Sequence, residues 1–290
     1  MHSYLRAIGF SKLSQKELDQ LLLEVMNASD EKHVVDEGDD RIFAEMSRDY
    51  GMNIGLRVCG SYDEQEQFRM EYYFPYFNGS GITSQEDVII EERSEKECFS
   101  GACDDVRVGV TLIFYLANAG VYLHERTKGM PQDNFSNLTL AGLSTEGKIL
   151  LPLRKDRAQK EKDQQLTRKR TQMIYEARKG NEEAMESLTM EDMDTYAMIS
   201  KRIVNEDIFS IVDTYFMPYG MECDRYNVMG EIIEWMEVTN KITGEKLYQM
   251  TISCNDLVFD ICINQEDLMG IPEVGRRFKG VIWLQGCLNF

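Results

Sequence analysis

Residues 154–179 contain no proline and no glycine, and they carry ten Lys or Arg against four Asp or Glu. A stretch of that length and composition has few options besides one long helix. Its apolar stripe is thin (Leu166, Met173, Ile174 and Ala177), and Gly180 supplies a natural stop. Apolar patterns of period two lie on both sides of it. The helix therefore divides the chain, and the fold class expected is α+β. A mixed α+β domain is assigned to residues 1–153, a helical segment to 154–222 and a small β-barrel to 223–290.

In the first part, Leu18, Leu21, Leu22, Val25 and Met26 share one helical face, and Ser14 with Glu17 forms an S-x-x-E capping box ahead of them. Strand patterns follow. Ile42, Ala44 and Met46 alternate with polar neighbours, as do Ile54, Leu56 and Val58. Residues 68–77 are aromatic and strand-prone, with Pro75 marking an edge or a strand end. Residues 88–90 and 106–116 continue the pattern, the second also being compatible with a buried helix. Residues 138–143 and 149–153 flank Ser144-Thr145-Glu146-Gly147, which reads as a hairpin turn.

Beyond Gly180 the charge reverses: residues 181–224 hold eleven acids against Lys201 and Arg202. A short helix is expected over 182–188. Another is expected to start at the capping pair Thr189 and Asp192, turning Met193, Tyr196, Ala197, Ile203 and Val204 inward. Residues 208–216 fit the helical period, with a strand as the alternative. From Tyr226 the period is two again. Four strands in about 65 residues, with glycines where a sheet must bend, predict a small barrel, either OB-like or SH3-like.

The net charge of −18 opposes bare nucleic acid and anionic membrane unless a local basic patch meets them. Lys12, Lys16, Glu17 and Asp19 break up the first 25 residues, so a secretory signal is not expected. The longest uncharged run, 108–123, is shorter than the roughly 18 to 20 apolar residues of a membrane span, so no membrane partner is expected. Seven scattered cysteines fit reduced thiols, and the expected location is cytoplasmic.

Motifs for chemistry are sparse. There is no C-x-x-C pair, and His2, His33 and His124 follow no metal-binding spacing, so neither a metal nor a cofactor is expected. The acidic clusters at 36–40, 182–183 and 191–194 follow no EF-hand loop. Asn78-Gly79-Ser80-Gly81 lacks both phosphate-loop spacings and reads as a turn. Cys98 or Cys103 with His124 would be the pair for a cysteine-dependent enzyme, but surface loop and strand end is the simpler reading. The Arg168-Lys169-Arg170 triplet, with Trp235, Tyr248 or Trp283 for base stacking, would serve nucleic-acid binding. Internal docking of the basic helix on acidic neighbours explains the same charges with less.

Four stretches carry a family likeness: MHSYLRAIGFS at 1–11, LTMEDMDTYAMIS at 188–200, the 207–224 region containing FMPYGMECD, and GRRFKGVIWLQG at 275–286. On these the chain resembles a family from anaerobic clostridia, domain-of-unknown-function family 3881. The resemblance runs through both ends of the chain. It implies one evolutionary unit of bacterial cytosolic origin, and it supplies no catalytic residues to carry over.

The function expected is therefore a non-enzymatic interaction or regulatory protein binding a protein or a small molecule. Nucleic-acid binding through 154–179 and the barrel face is one alternative, and cysteine chemistry is the other. The candidate binding surface is the junction of helical segment and barrel. There Tyr219, Glu222, Cys223, Asp224, Arg276 and Arg277 gather acid, base and aromatic groups on loops. A salt-bridged seam between the two parts is the competing reading of those residues.

Overall fold

The computed structural model describes residues 1–38, 41–93, 98–129, 133–135, 137–153, 157–221 and 223–290. A short 3-10 helix, Ser3–Ile8, opens the chain, and α1 (Gln15–Asn27) follows with the expected capping box between Ser14 and Glu17. Strands β1 (Glu31–Gly38), β2 (Arg41–Gly51), β3 (Ile54–Tyr62) and β4 (Phe68–Phe77) form an antiparallel meander. Leu18, Leu21, Leu22 and Val25 of α1 are buried, and the helix packs on β2 and β3.

Next come β5 (Val88–Arg93), β6 (Cys98–Cys103) and β7 (Leu112–Leu116), then α2 (Ala119–Thr127), β8 (Asp133–Phe135) and β9 (Leu138–Leu150). The uncharged run at 108–123 is thus part strand and part helix, divided at Asn118. The turn-like residues 144–147 do not make a hairpin. β9 runs straight through them, with a bulge that skips Thr145 in its pairing to the last strand. Ser144 Oγ lies 2.8 Å from both the Glu146 and the Val281 carbonyl oxygens and shares its one proton between them across the bulge, so the polar residues serve a bend in a barrel strand.

Helices α3 (Arg157–Arg178), α4 (Glu182–Ile203) and α5 (Ile208–Ile211) form the central insertion. The two helices expected over 182–204 are one, capped by Asn181 rather than Thr189; Thr189 Oγ1 donates back to the Met185 carbonyl inside the helix. Then come β10 (Tyr215–Pro218), β11 (Arg225–Thr239), β12 (Lys246–Cys254) and β13 (Leu257–Asn264). A 3-10 turn (Gln265–Asp267), the short β14 (Leu268–Met269) and β15 (Arg277–Leu288) complete the chain.

The second sheet closes on itself in the order β11-β12-β13-β9-β15 and back to β11, a five-stranded barrel. Four of its strands are those expected after Tyr226. The fifth, β9, comes from before the helical insertion and lies between β13, to which it is parallel, and β15, to which it is antiparallel. Residues 223–290 alone would leave that gap open. The N-terminal half of β15 pairs with β11 to close the barrel, while its Gln285 and Gly286 pair with β7. Through β7 the sheet continues into β6, β5 and β8, so barrel and outer sheet share a spine.

Packing follows from that sharing. Phe278 is fully buried, and its ring lies where Cβ atoms on Gly147 or Gly280 would stand, at 2.6 and 2.7 Å. The segment around Ser3–Ile8 is wedged between β4 of the meander and β9 and β13 of the barrel. Asn240 Nδ2 donates to the Ile8 carbonyl and Asn264 Nδ2 to that of Arg6. Gly9 adopts φ 87°, and a Cβ there would meet Asn240 at 2.7 Å, so only glycine allows this close approach. Within the meander lies a buried ion pair, Arg57 of β3 to Glu45 of β2 at 3.8 Å, with the guanidinium over the Tyr76 ring.

Candidate functional site

Arg277 sits at the root of the helical insertion and is 4% exposed. Its guanidinium donates to the carbonyls of Leu151, Phe209, Val212 and Asp213. Leu151 precedes α3, and residues 209–213 follow α4. One cation therefore gathers both ends of the insertion against the barrel. Burial lowers its pKa from the ordinary arginine value, an effect that the charge of Asp213 opposes.

Beside this clamp α3 crosses the barrel over a polar cleft of about 670 Å³. Thr167, Arg170, Thr171 and Ile174 of α3 form one wall; Glu231, Ile233, Asn255 and Arg277 are on the other. The arginines of the cleft already have acceptors. Arg170 reaches across to Asp192 at 2.6 Å and Glu191 at 3.6 Å on α4. Arg107 makes a fork with Asp105, and donates further to the carbonyls of Thr83 and Asp256. Burial alone would raise the pKa of Asp105, but hydrogen bonds from Arg107 and Ser84 hold its carboxyl below the usual range. The cleft is built as a seam, its cations committed to the protein itself.

Of the six residues expected at the junction, the five that are described do not converge. Antiparallel register sets Arg277 opposite Glu231 and Trp283 opposite Arg225, six residues apart and thus about 20 Å along the strand. Of the six, Arg277 lines the cleft. Arg276 pairs with Glu273 and donates to the Ile271 carbonyl. Tyr219, Cys223 and Asp224 lie at the other end of β11, in and after the β10–β11 turn. Tyr219 and Cys223 are exposed there, while Asp224 is buried and its carbonyl accepts from Leu284. Glu222 lies outside the described residues.

The groups singled out for other chemistries are placed as follows. Cys98 and Cys103 are buried in β6, and burial pushes the Cys103 thiol up to about 11, away from the thiolate that nucleophilic chemistry needs. His124 is exposed on α2. Trp283 is 5% exposed and packs on His2, Tyr4 and Tyr115; Tyr248 is also buried, and Trp235 packs edge-on against it. Among the described residues, no group of three or more His, Cys, Asp or Glu is placed to hold a metal. Nor is any helix among them long and apolar enough to cross a membrane.

The unexpected surface is on α4. None of its residues is buried. Ala184, Leu188, Glu191, Ile199 and Arg202 are half-buried, within an arc of about 80° that faces α3. A second arc of about 100° carries Met185, Met193, Tyr196, Ile203 and the capping Val204, with Met190 at its margin. These six are between 43% and 78% exposed. The inward orientation expected for Met193, Tyr196, Ile203 and Val204 is therefore reversed. α3 lies between α4 and the barrel, and its stripe is too narrow to cover more than one face of α4. The signal was present in the sequence: α4 has apolar residues for two faces, and its neighbour has them for one.

Comparison with curated proteins and with solved structures returns no match. A family model does match, over residues 5–286, so its extent takes in meander, barrel and helical insertion together. The chain belongs to the DUF3881 family, described as a domain of unknown function from an E. rectale gene description.

Proposed function

We propose that this is a non-enzymatic interaction protein, in which the barrel and its outer sheet form a rigid platform and α4 presents the docking face. The observation that carries this reading is the row Met185, Met193, Tyr196, Ile203 and Val204, left open on the face of α4 away from its half-buried arc. Clustered exposed apolar side chains, unlike scattered single ones, mark interaction sites. Methionine suits such a face, since its unbranched thioether side chain adapts to the partner it meets.

Two features weigh against the alternatives. The cleft's arginines are consumed by internal acceptors, which favours a seam over a small-molecule site. We read the barrel as OB-like, from its parallel β13–β9 pair and the short helical turn after β13. Oligonucleotide-binding barrels offer strand faces with stacking aromatics. Here β13 is covered by the 3–10 segment, with Cys262 Sγ donating to the Ala7 carbonyl, and Trp283 is buried.

A photo-crosslinking residue placed at Tyr196 tests the reading in cells, with the same residue at the exposed Ile242 of the β11–β12 turn as control. Crosslinking to a polypeptide at 196 and not at 242 is expected. Equal or absent crosslinking at the two positions would remove α4 as the docking face.

A further inference from the structure

We infer that the occupant of the α4 face is a basic amphipathic helix of another protein, with apolar residues along one side and Lys or Arg gathered at one end. This rests on the docking reading above and names the chemistry of its partner. The open arc changes character along the helix. Toward the C-terminus it presents Met193, Tyr196, Ile203 and Val204; toward the N-terminus, Met185 and Met190 stand among the exposed Glu182, Glu183 and Glu186. From Met185 to Val204 the row runs roughly 30 Å, the length of a helix of about 20 residues. A long narrow row of this kind is what a second helix covers with anchors at i, i+3, i+4 and i+7.

Charge selects the partner. Helical spacing sets Glu182 and Glu186 within the open arc and Glu183 at its margin. Among the described residues none of these three is in an ion pair. The acids that are paired, Glu191 and Asp192 with Arg170 and Glu206 with Arg202, lie on or beside the arc that faces α3. Of the two cations on α4, Arg202 is thus committed to Glu206, and Lys201 stands roughly 20 Å along the axis from Glu186. The helix N-terminus, equivalent to about half a positive charge, does not offset three carboxylates. An acidic or neutral helix laid on the row would strip water from them and offer nothing in return, whereas Lys or Arg at one end pairs them. The net charge of −18 acts in the same sense at longer range, drawing basic segments in and turning acidic ones away.

Selection on the full chain from a displayed library of helix-forming 20-residue peptides, unbiased in charge, tests this. Peptides that also bind the Met193→Ser, Tyr196→Ser chain, whose charge is unchanged, are discarded. The survivors are expected to carry apolar residues at helical spacing and a net positive charge, with the cations at one end. A synthetic survivor should bind several-fold more weakly to the Glu182→Gln, Glu186→Gln chain, with the helical circular dichroism of that chain unchanged. Its affinity should fall as salt rises, and Glu64→Gln with Glu66→Gln, on the distant β3–β4 turn, should leave it unchanged. Neutral or acidic survivors overturn the proposal, as do survivors indifferent to the 182 and 186 substitutions or equally weakened by those at 64 and 66. If no peptide survives while position 196 still crosslinks to a polypeptide in cells, only the basic-helix assignment fails. Failure of both measurements removes the docking face itself.

Discussion

The barrel and the helical hairpin handle apolar side chains in opposite ways. In β12 and β13, side chains on both sheet faces are mostly buried, because one face fills the barrel and the other is covered by the N-terminal segment and the β2–β3 turn. In α4, no residue is buried over 22 positions. Strands closed into a barrel satisfy their ladders and bury their residues within one chain. A two-helix hairpin lying over a polar cleft has only one covered face per helix, and any apolar residue beyond that face stays open. The platform and the docking element of this molecule differ in whether the chain completes its own burial.

Truncation gives the largest contrast. Phe278→Ala, which empties the space between Gly147 and Gly280, is expected to cost about 3–5 kcal/mol in urea unfolding. Tyr196→Ala is expected to change the monomer's stability by less than about 0.5 kcal/mol. Similar costs at both sites would break the comparison.

Arg277→Met addresses the joint between the two regions. It leaves the carbonyls of Leu151, Phe209, Val212 and Asp213 without their donor, a loss of roughly 2–3 kcal/mol. Limited proteolysis should then cut first at the two roots of the insertion, near 151–157 and 207–214. Protection of both roots in the variant would mean that the clamp is elsewhere.

Alkaline titration sharpens the difference at smaller scale. Burial holds the thiols of Cys103 and Cys254 up to about 11 and about 12, against an ordinary value near 9. Below pH 9 both folded and unfolded chains keep these protons. Above it the unfolded chain loses them first, so stability is full below pH 9 and falls as pH rises toward the folded values, by about 1.4 kcal/mol per pH unit for each thiol. Helices α3 and α4 contain no cysteine, so the helical signal of the hairpin should be insensitive over the same interval until the barrel melts. Chemical denaturation at pH 8, 9 and 10, followed by tryptophan fluorescence for the barrel, measures this.

Much of the architecture was legible from residue patterns. The Ser14–Glu17 capping box, the period-two runs after Tyr226 and the unbroken basic stretch each depend on local chemistry, and each yields the element expected. What was not legible is non-local. That β9 closes the barrel depends on its pairing with β13 and β15, more than a hundred residues away, and period two alone does not choose a partner. Residues 144–147 look like a turn because a bulge and a turn draw on the same residue types. Of the candidate site, Arg277 was identified as a residue of the junction, but its role as a clamp depends on which carbonyls surround it. The open face of α4 was missed because helical periodicity locates apolar faces without saying what covers them.

Hydrogen exchange of the isolated chain tests the central claim most directly, because it reads platform and docking face in one experiment. Amides of β12 and β13 (Lys246–Asn264) should be strongly protected, whereas those of α4 (Glu182–Ile203) should exchange fast. Protection in α4 as strong as the barrel's would contradict the account.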